Sequence, residues 1–225
     1  MRLGDFDVEV HVLGPFQENA YRITHVPSGR AAVVDPGMAP DEVIARLARG
    51  VDCILLTHGH LDHIAGLPAA KAASGAPLVA GRGEADFLRD PELNGSARWP
   101  ELFGAPLVFD PPDREVADGE ELELGGGRLR VWHVPGHTPH HVVYALLDGR
   151  GNPVGVIAGD TLFAGSIGRT DLPGGDLATL LRSIREKLLS LPDDVVVCPG
   201  HGPWTTIGRE RRDNPFVGSR ARFGV

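Results

Sequence analysis

The sequence has few cysteines and no long apolar run, and each shortage argues against a class of protein. Only two cysteines occur among 225 residues, Cys53 and Cys198, and both lie in mostly apolar stretches. This pattern is typical of buried thiols in a reducing compartment rather than of a disulfide-stapled secreted domain. No apolar stretch approaches a length of about 18 residues, which a membrane-spanning helix needs. The acidic N-terminus MRLGDFDVEV lacks the apolar core of a signal peptide. We therefore expect a cytoplasmic protein without membrane association.

The sequence also has no excess of basic residues. Lys and Arg number 22 against 30 Asp and Glu, which gives a formal net charge of −8, and no basic block interrupts the chain. Nucleic acid is therefore not an expected partner. Glycine and proline are plentiful instead, at 30 and 19 residues, and this richness indicates many tight turns and functional loops. The length fits one domain over residues 1–225, and no feature of the sequence specifies an oligomeric state.

Hydrophobic periodicity predicts an α/β protein. Strands are expected over 6–13, 19–26, 31–34, 51–56, 77–80, 122–124, 129–132, 142–147, 154–158 and 195–198. Helices are expected to follow Pro40, to run from Ile64 to Gly75, and to cover 83–89 and 177–188, while 90–119 is interpreted mostly as loop. Strands and helices alternate in the first half and hairpins dominate the middle. This mixture favours two sheets packed between layers of helices.

A cluster of metal-binding side chains follows the short apolar run at 51–56. His58, His60, Asp62 and His63 fall within six residues. In an extended segment His58 and His60 point the same way and can bind one metal, whereas Asp62 and His63 come as the chain turns towards a helix and aim elsewhere. The alternative is a helix capped by Asp62 with histidines in a loop, but capping does not account for three histidines so close together. The spacing therefore predicts two adjacent metal sites.

One sequence pattern recurs along the chain: a predicted apolar strand ends, a small residue or a proline follows, and then comes a potential metal ligand. These residues are Asp35, His58, His137, Asp160 and His201. Because strand ends at one edge of a sheet bring distant residues together, we expect these side chains to converge. A lone histidine after Pro-Gly is more often a loop residue. Asp35 fits a turn with Pro36-Gly37 as well as it fits a functional role.

Four motifs together resemble the metallo-β-lactamase-fold hydrolases: THGHLDH (57–63), PGHT (135–138), GDTLF (159–163) and PGHG (199–202). The segments GSIGRTDLPGGD (165–176) and NPF (214–216) are most similar to small bacterial members of the glyoxalase II-like, or hydroxyacylglutathione hydrolase-like, branch. The resemblance covers nearly the whole chain. It implies an αβ/βα four-layer sandwich, in which two mixed sheets are flanked by helices, with a binuclear metal centre at one edge. Only 24 residues follow His201, so we expect the C-terminal glutathione-binding helical domain of longer relatives to be absent.

The resemblance also assigns the metal ligands. One metal would be bound by His58, His60 and His137, the other by Asp62, His63 and His201, and Asp160 would bridge them. These imidazoles and carboxylates suit two divalent metal ions, zinc above all, with iron or manganese as alternatives.

Further roles follow from the same resemblance. Asp62 would also act in catalysis by orienting the attacking hydroxide. Asp35 and Thr57 resemble positions that hydrogen-bond the ligand loops from behind. Longer relatives place a Lys and a Tyr where this chain has Arg169 and Asp171. Arg169 could still pair with a substrate carboxylate.

The implied activity is that of a metal-dependent hydrolase, a thioesterase that cleaves S-lactoylglutathione or a related hydroxyacyl-thiol. The expected partner is thus a small-molecule acyl-thiol, and β-lactams are expected to be poor substrates. Three alternatives stay open at this point: a mononuclear-iron persulfide dioxygenase of the same fold, a metallohydrolase of another ester or lactone, and a non-catalytic metal-binding domain. Metal content separates the first alternative from the thioesterase, because a dioxygenase would hold a single iron.

Overall fold

A computed structural model describes residues 1–219 and 221. Its first sheet is mixed, with antiparallel pairing from β1 to β4 and parallel pairing from β4 to β7. The strands lie in chain order across this sheet: β1 (Arg2–Leu3), β2 (Phe6–Leu13), β3 (Glu18–His25), β4 (Arg30–Val34), β5 (Cys53–Leu55), β6 (Leu78–Gly81) and β7 (Arg114–Val116).

The second sheet is also mixed. Its strands, in spatial order, are β8 (Glu121–Leu124), β9 (Gly127–His133), β10 (Val142–Leu147), β11 (Pro153–Gly159), β14 (Val196–Pro199) and β15 (Thr205–Thr206). Strands β11 and β14 pair in parallel, and the other neighbours pair antiparallel. A separate two-stranded ribbon joins β12 (Leu162–Phe163) to β13 (Ser166–Ile167).

Helices cover the outer faces of both sheets. They are α1 (Asp41–Ala48), α2 (Leu61–Ile64), α3 (Leu67–Ser74), α4 (Glu84–Arg89), α5 (Pro91–Asn94), α6 (Pro100–Phe103), α7 (Leu177–Ser183) and α8 (Ile207–Asp213), with a 3₁₀ turn at Ser96–Arg98 and a π-helical turn at Ile184–Leu188. Helices α1 and α3 pack on the first sheet, and α7 packs on the second. Within the described part of the chain, none of these helices has the length and apolar character to cross a membrane.

Strand β10 shows how one apolar run serves two layers of core. Tyr144 faces the space between the sheets, whereas Val143 and Ala145 pack on the opposite side beneath α7. Because successive strand residues point to opposite faces, a run that is apolar throughout must be covered on both sides. The same alternation in β4 separates Val34 from Val33. The result is the αβ/βα four-layer sandwich with two mixed sheets, which confirms the predicted fold.

The segment 90–119 is mostly loop, as predicted, but it also contains short elements that the sequence patterns did not indicate. Strand β7 extends the first sheet, and α5 and α6 are short helices that each begin at a proline and are followed by a glycine in the left-handed region, Gly95 (φ +83°) and Gly104 (φ +69°). Proline fits the first turn of a helix and glycine fits its end, so the residues that suggested loop are those that bound short helices. The helix predicted from Ile64 to Gly75 is also divided, into α2 and α3.

Candidate metal centre

The loops that carry the predicted ligands all follow strands at one edge of the sandwich, and hydrogen bonds tie these loops across the two sheets. Tyr144 of β10 donates its hydroxyl to the Leu56 carbonyl at 2.7 Å, just before the histidine-rich loop. Tyr21 of β3 donates in the same way to the Pro199 carbonyl at 2.7 Å, just before His201. Because both tyrosines are buried, these bonds hold the ligand loops at fixed separations.

The first cluster consists of His58, His60 and His137, whose rings are buried. His58 Nε2 lies 3.1 Å from His60 Nδ1, His60 Nδ1 lies 2.9 Å from His137 Nε2, and the two Nε2 atoms lie 3.1 Å apart. Burial lowers the pKa of all three rings, that of His60 to about 3, so each ring is neutral near pH 7. A neutral imidazole offers one lone pair, and three such nitrogens converge here.

The outer contacts of two of these rings show where their protons lie. His137 Nδ1 is 2.7 Å from the carbonyl oxygen of Arg169, which can only accept, so Nδ1 carries the proton. Thr57 donates its hydroxyl to Asp35 at 2.7 Å and is thereby left to accept from His58 Nδ1 at 3.1 Å. Both Nε2 atoms therefore turn unprotonated lone pairs towards each other. That arrangement is repulsive on its own and fits a shared metal cation.

The second cluster joins Asp62, His63 and His201 around Asp160. His201 Nε2 lies 3.2 Å from Asp62 Oδ2 and 3.5 Å from Asp160 Oδ2. His63 Nε2 lies 3.5 Å from Asp160 Oδ1. Asp160 Oδ2 also lies 3.5 Å from His137 Nε2 in the first cluster. One carboxylate thus contacts both clusters, as a bridging ligand would.

The electrostatics of the second cluster also fit a cation. Burial disfavours charge on His63, yet Asp62 and Asp160 together raise its pKa well above the usual value. Burial likewise opposes charge on Asp160, but His63 lowers the pKa of that carboxylate below its usual range. Among the described residues, His63 Nε2 and Asp160 Oδ1 are buried without a hydrogen-bond partner. A bound metal would satisfy both atoms, so the donor set suits divalent metal ions.

Asp35 lies directly behind these ligands. Its carboxylate accepts from the Thr57 backbone N–H at 2.8 Å, from the Thr57 hydroxyl at 2.7 Å and from His63 Nδ1 at 3.0 Å. The side chain therefore serves the histidine loop rather than a turn with Pro36-Gly37. Since His63 Nδ1 donates to a carboxylate, His63 Nε2 is the nitrogen left for a metal.

Three further buried side chains lie beside the clusters. His141 stacks on His58 with ring centroids 4.9 Å apart, and its Nε2 accepts from the Asp160 backbone N–H at 3.1 Å. Glu84 of α4 contacts Thr138 at 3.5 Å, and burial raises its pKa to about 8. Glu18 places Oε1 3.9 Å from His63 Nδ1. Glu18 lies in β3 and Glu84 in α4, where periodicity does not distinguish them from ordinary polar residues, and His141 directly precedes β10.

An open pocket of about 540 Å³ lies above the clusters. Its floor is formed by metal-ligand candidates and its walls by aromatic, apolar and cationic side chains. The lining includes His60, Asp62, His137, Asp160, His201, Phe16, Trp99, Phe163, Leu172, Arg98 and Arg169. Arg169 therefore lines the pocket that contains the metal-ligand candidates. Its guanidinium, however, forms two 2.7 Å hydrogen bonds with Asp171.

Comparison with known proteins connects this geometry to one family. The Metallo-beta-lactamase superfamily matches residues 13–201. The hydroxyacylglutathione hydrolase GloC of Haemophilus influenzae is 36% identical over 220 residues, which cover 96% of this chain and 100% of GloC. The crystal structure of BLEG-1, described as a B3 metallo-beta-lactamase, is 39% identical with a TM-score of 0.82 and covers 94% and 99% of the two chains. TTHA1623, described in a di-iron-bound form, is 37% identical with a TM-score of 0.76, covering 92% and 99%.

Proposed function

Because this chain belongs to the metallo-beta-lactamase superfamily, we propose that it is a metal-dependent thioesterase that cleaves a hydroxyacyl-thiol such as S-lactoylglutathione. Membership makes it a metallo-hydrolase of this fold. The choice of a thioester draws support from similarity to GloC, described as a hydroxyacylglutathione hydrolase. The observation that carries the proposal is the pair of adjacent clusters, joined through Asp160, at the floor of an open pocket.

The first cluster would hold one divalent metal and the second would hold another, with Asp160 between them. Zinc suits the imidazole and carboxylate donors, and the di-iron form of TTHA1623 makes iron the first alternative. When bound, such metals supply a water of lowered pKa, towards about 7, and polarise a carbonyl. Among the described residues, those that line the pocket include neither serine nor cysteine, so water is the nucleophile that this part of the chain offers.

Asp62 would position that water. It lines the pocket, and its Oδ2 lies 3.2 Å from His201 Nε2, which leaves Oδ1 to accept a hydrogen bond from water. Asp62 is ionised near pH 7, because His63 and His201 outweigh the effect of burial and lower its pKa. A thiolate leaves without first taking a proton, so a thioester needs no general acid from the pocket walls.

The test is a substrate panel with metal-loaded protein. It contains S-lactoylglutathione, a second acyl-thiol, a lactone, a β-lactam, and glutathione persulfide with oxygen uptake recorded. We expect thioester turnover to dominate, with about two metals per chain by elemental analysis. Likeness to BLEG-1 makes the β-lactam the second candidate substrate, and preferential β-lactam hydrolysis would replace the thioester proposal. Oxygen uptake with persulfide, one iron per chain and no thioester hydrolysis would establish the dioxygenase instead.

The bridging role of Asp160 is tested separately by Asp160→Ala. Because this carboxylate contacts both clusters, its loss should lower the metal content of each. Asp148→Ala, in an exposed hairpin turn outside the pocket, is the matched control. Full metal retention by Asp160→Ala would refute the bridging assignment.

A further inference from the structure

One wall of the pocket is cationic and aromatic, and the proposed chemistry gives it no role. The wall consists of Arg98, the last residue of the 3₁₀ turn, and the following Trp99, which meets the ring of Phe16 edge-on at 5.5 Å. Trp99 is 40% exposed and Arg98 is also exposed, whereas the metal-ligand candidates below are mostly buried. The wall therefore lies at the pocket mouth, away from the floor where an acyl carbonyl would react.

A buried polar network holds this wall in place. The Asn94 side chain is 0% exposed; its Nδ2 donates to the carbonyl oxygens of Phe87 at 3.1 Å and Leu107 at 3.0 Å. Asn94 Oδ1 accepts from the Ser96 backbone N–H at 2.9 Å, and Ser96 Oγ accepts from the Leu107 N–H at 2.8 Å. With its buried groups satisfied, the turn presents Arg98 from a fixed backbone.

The two arginines of the pocket differ in how they are paired. Arg169 is bound through two nitrogens by both carboxylate oxygens of Asp171. A substrate carboxylate at Arg169 would have to displace that pair. Within residues 1–219 and 221, the Arg98 guanidinium has no ion-pair or hydrogen-bond partner. The charge of Arg98 contributes to the lowered pKa of Asp171, but among the described residues no hydrogen bond or ion pair joins the two side chains. Arg98 is thus the pocket cation that is free to bind an anion.

We propose that Arg98 binds a carboxylate on the thiol half of the substrate, with Trp99 and Phe16 packing against the apolar part of that half. The inference rests on the proposed thioesterase function, because it places the acyl group at the metal clusters and the thiol carrier at the mouth. A guanidinium presents paired N–H donors that match a carboxylate. Arg98 would then take the role that the sequence suggested for Arg169.

The test measures binding rather than turnover, using two ligands that differ in a single charge. S-acetonyl-N-acetylcysteine carries a ketone in place of the thioester and one carboxylate, and its carboxamide is the neutral partner. Ligand-observed NMR titration of the metal-loaded protein reports weak affinities. We expect the carboxylate to bind about fivefold more tightly than the amide at low salt, with the preference fading at high salt.

Arg98→Ala should abolish this preference, and Arg98→Lys should retain part of it, since a lysine keeps the charge but not the paired donors. The matched control is Arg89→Ala, which makes the same charge change at an exposed position of α4 outside the pocket lining. Equal binding of the two ligands, absence of binding by both, or an unchanged preference in Arg98→Ala would overturn the inference. Absence of thioester turnover in the substrate panel would instead refute the proposed function. The two failures are distinguishable because the binding titration requires no turnover.

Discussion

Replacing Asp35 by asparagine isolates the contribution of a buried carboxylate that touches no substrate. Asp35 is buried, with a positive backbone φ of +49°. Asparagine tolerates this left-handed conformation as aspartate does, so the substitution preserves backbone and volume. What changes is hydrogen bonding: if the amide oxygen keeps the Thr57 N–H, the new NH₂ group faces two donors, the Thr57 hydroxyl and His63 Nδ1.

The magnitude follows from these contacts. Hydrogen bonds to a charged group contribute about 1.5–3 kcal/mol each, and rotation of the Thr57 hydroxyl recovers part of one. We therefore expect Asp35→Asn to lower the free energy of unfolding of the metal-free protein by about 3 kcal/mol. His63 loses its acceptor at Nδ1, which favours the tautomer protonated at Nε2, the nitrogen that faces Asp160. Metal affinity of the second cluster should fall about 10- to 100-fold.

Urea unfolding of the metal-free protein and titration against a chromophoric chelator measure the two effects. Asp52→Asn is the matched control, because Asp52 accepts from the Ala31 N–H at 3.0 Å and pairs with Arg30, outside the metal clusters. The control should leave metal affinity unchanged. If Asp35→Asn binds both metals with wild-type affinity, the tautomer argument is refuted, whatever the change in stability.

Two further predictions concern Asp62 and Glu84. Asp62→Asn should lower kcat by about two or more powers of ten while the fold survives, since it removes the negative charge that helps to hold the metal and to orient the nucleophilic water; wild-type turnover at unchanged metal content would contradict this role. Burial raises the pKa of Glu84 from 4.5 to about 8, so the folded protein keeps a proton that the unfolded chain releases across that window. The stability contribution of this proton is complete below pH 4.5 and is lost as the pH approaches 8. Glu84→Gln should therefore show a flatter decline of urea midpoint between these pH values in the metal-free protein, and an unchanged slope would contradict the assignment.

Local sequence pattern was enough to predict two sheets packed between layers of helices and the cluster of ligand candidates from His58 to His63. Strands β10 and β4 are apolar at consecutive positions, and this pattern indicates that both faces of each strand are buried. The spacing of His58, His60 and His63 within a strand-to-helix turn likewise determines which side chains can face a common point. These features depend on backbone geometry over a few consecutive residues, so they can be predicted from the sequence alone.

Tertiary contacts decided the rest. Arg169 lines the pocket, but only the folded structure shows that it pairs with Asp171 and that Arg98 is unpaired among the described residues. The wall that presents Arg98 is held by Asn94, which joins backbone groups up to 13 residues away. Glu84 owes its raised pKa to burial against loops distant in sequence. Desolvation arises from the packing of remote segments, and hydrophobic periodicity along the chain encodes neither this burial nor the pairing of Arg169 with Asp171, two residues further on.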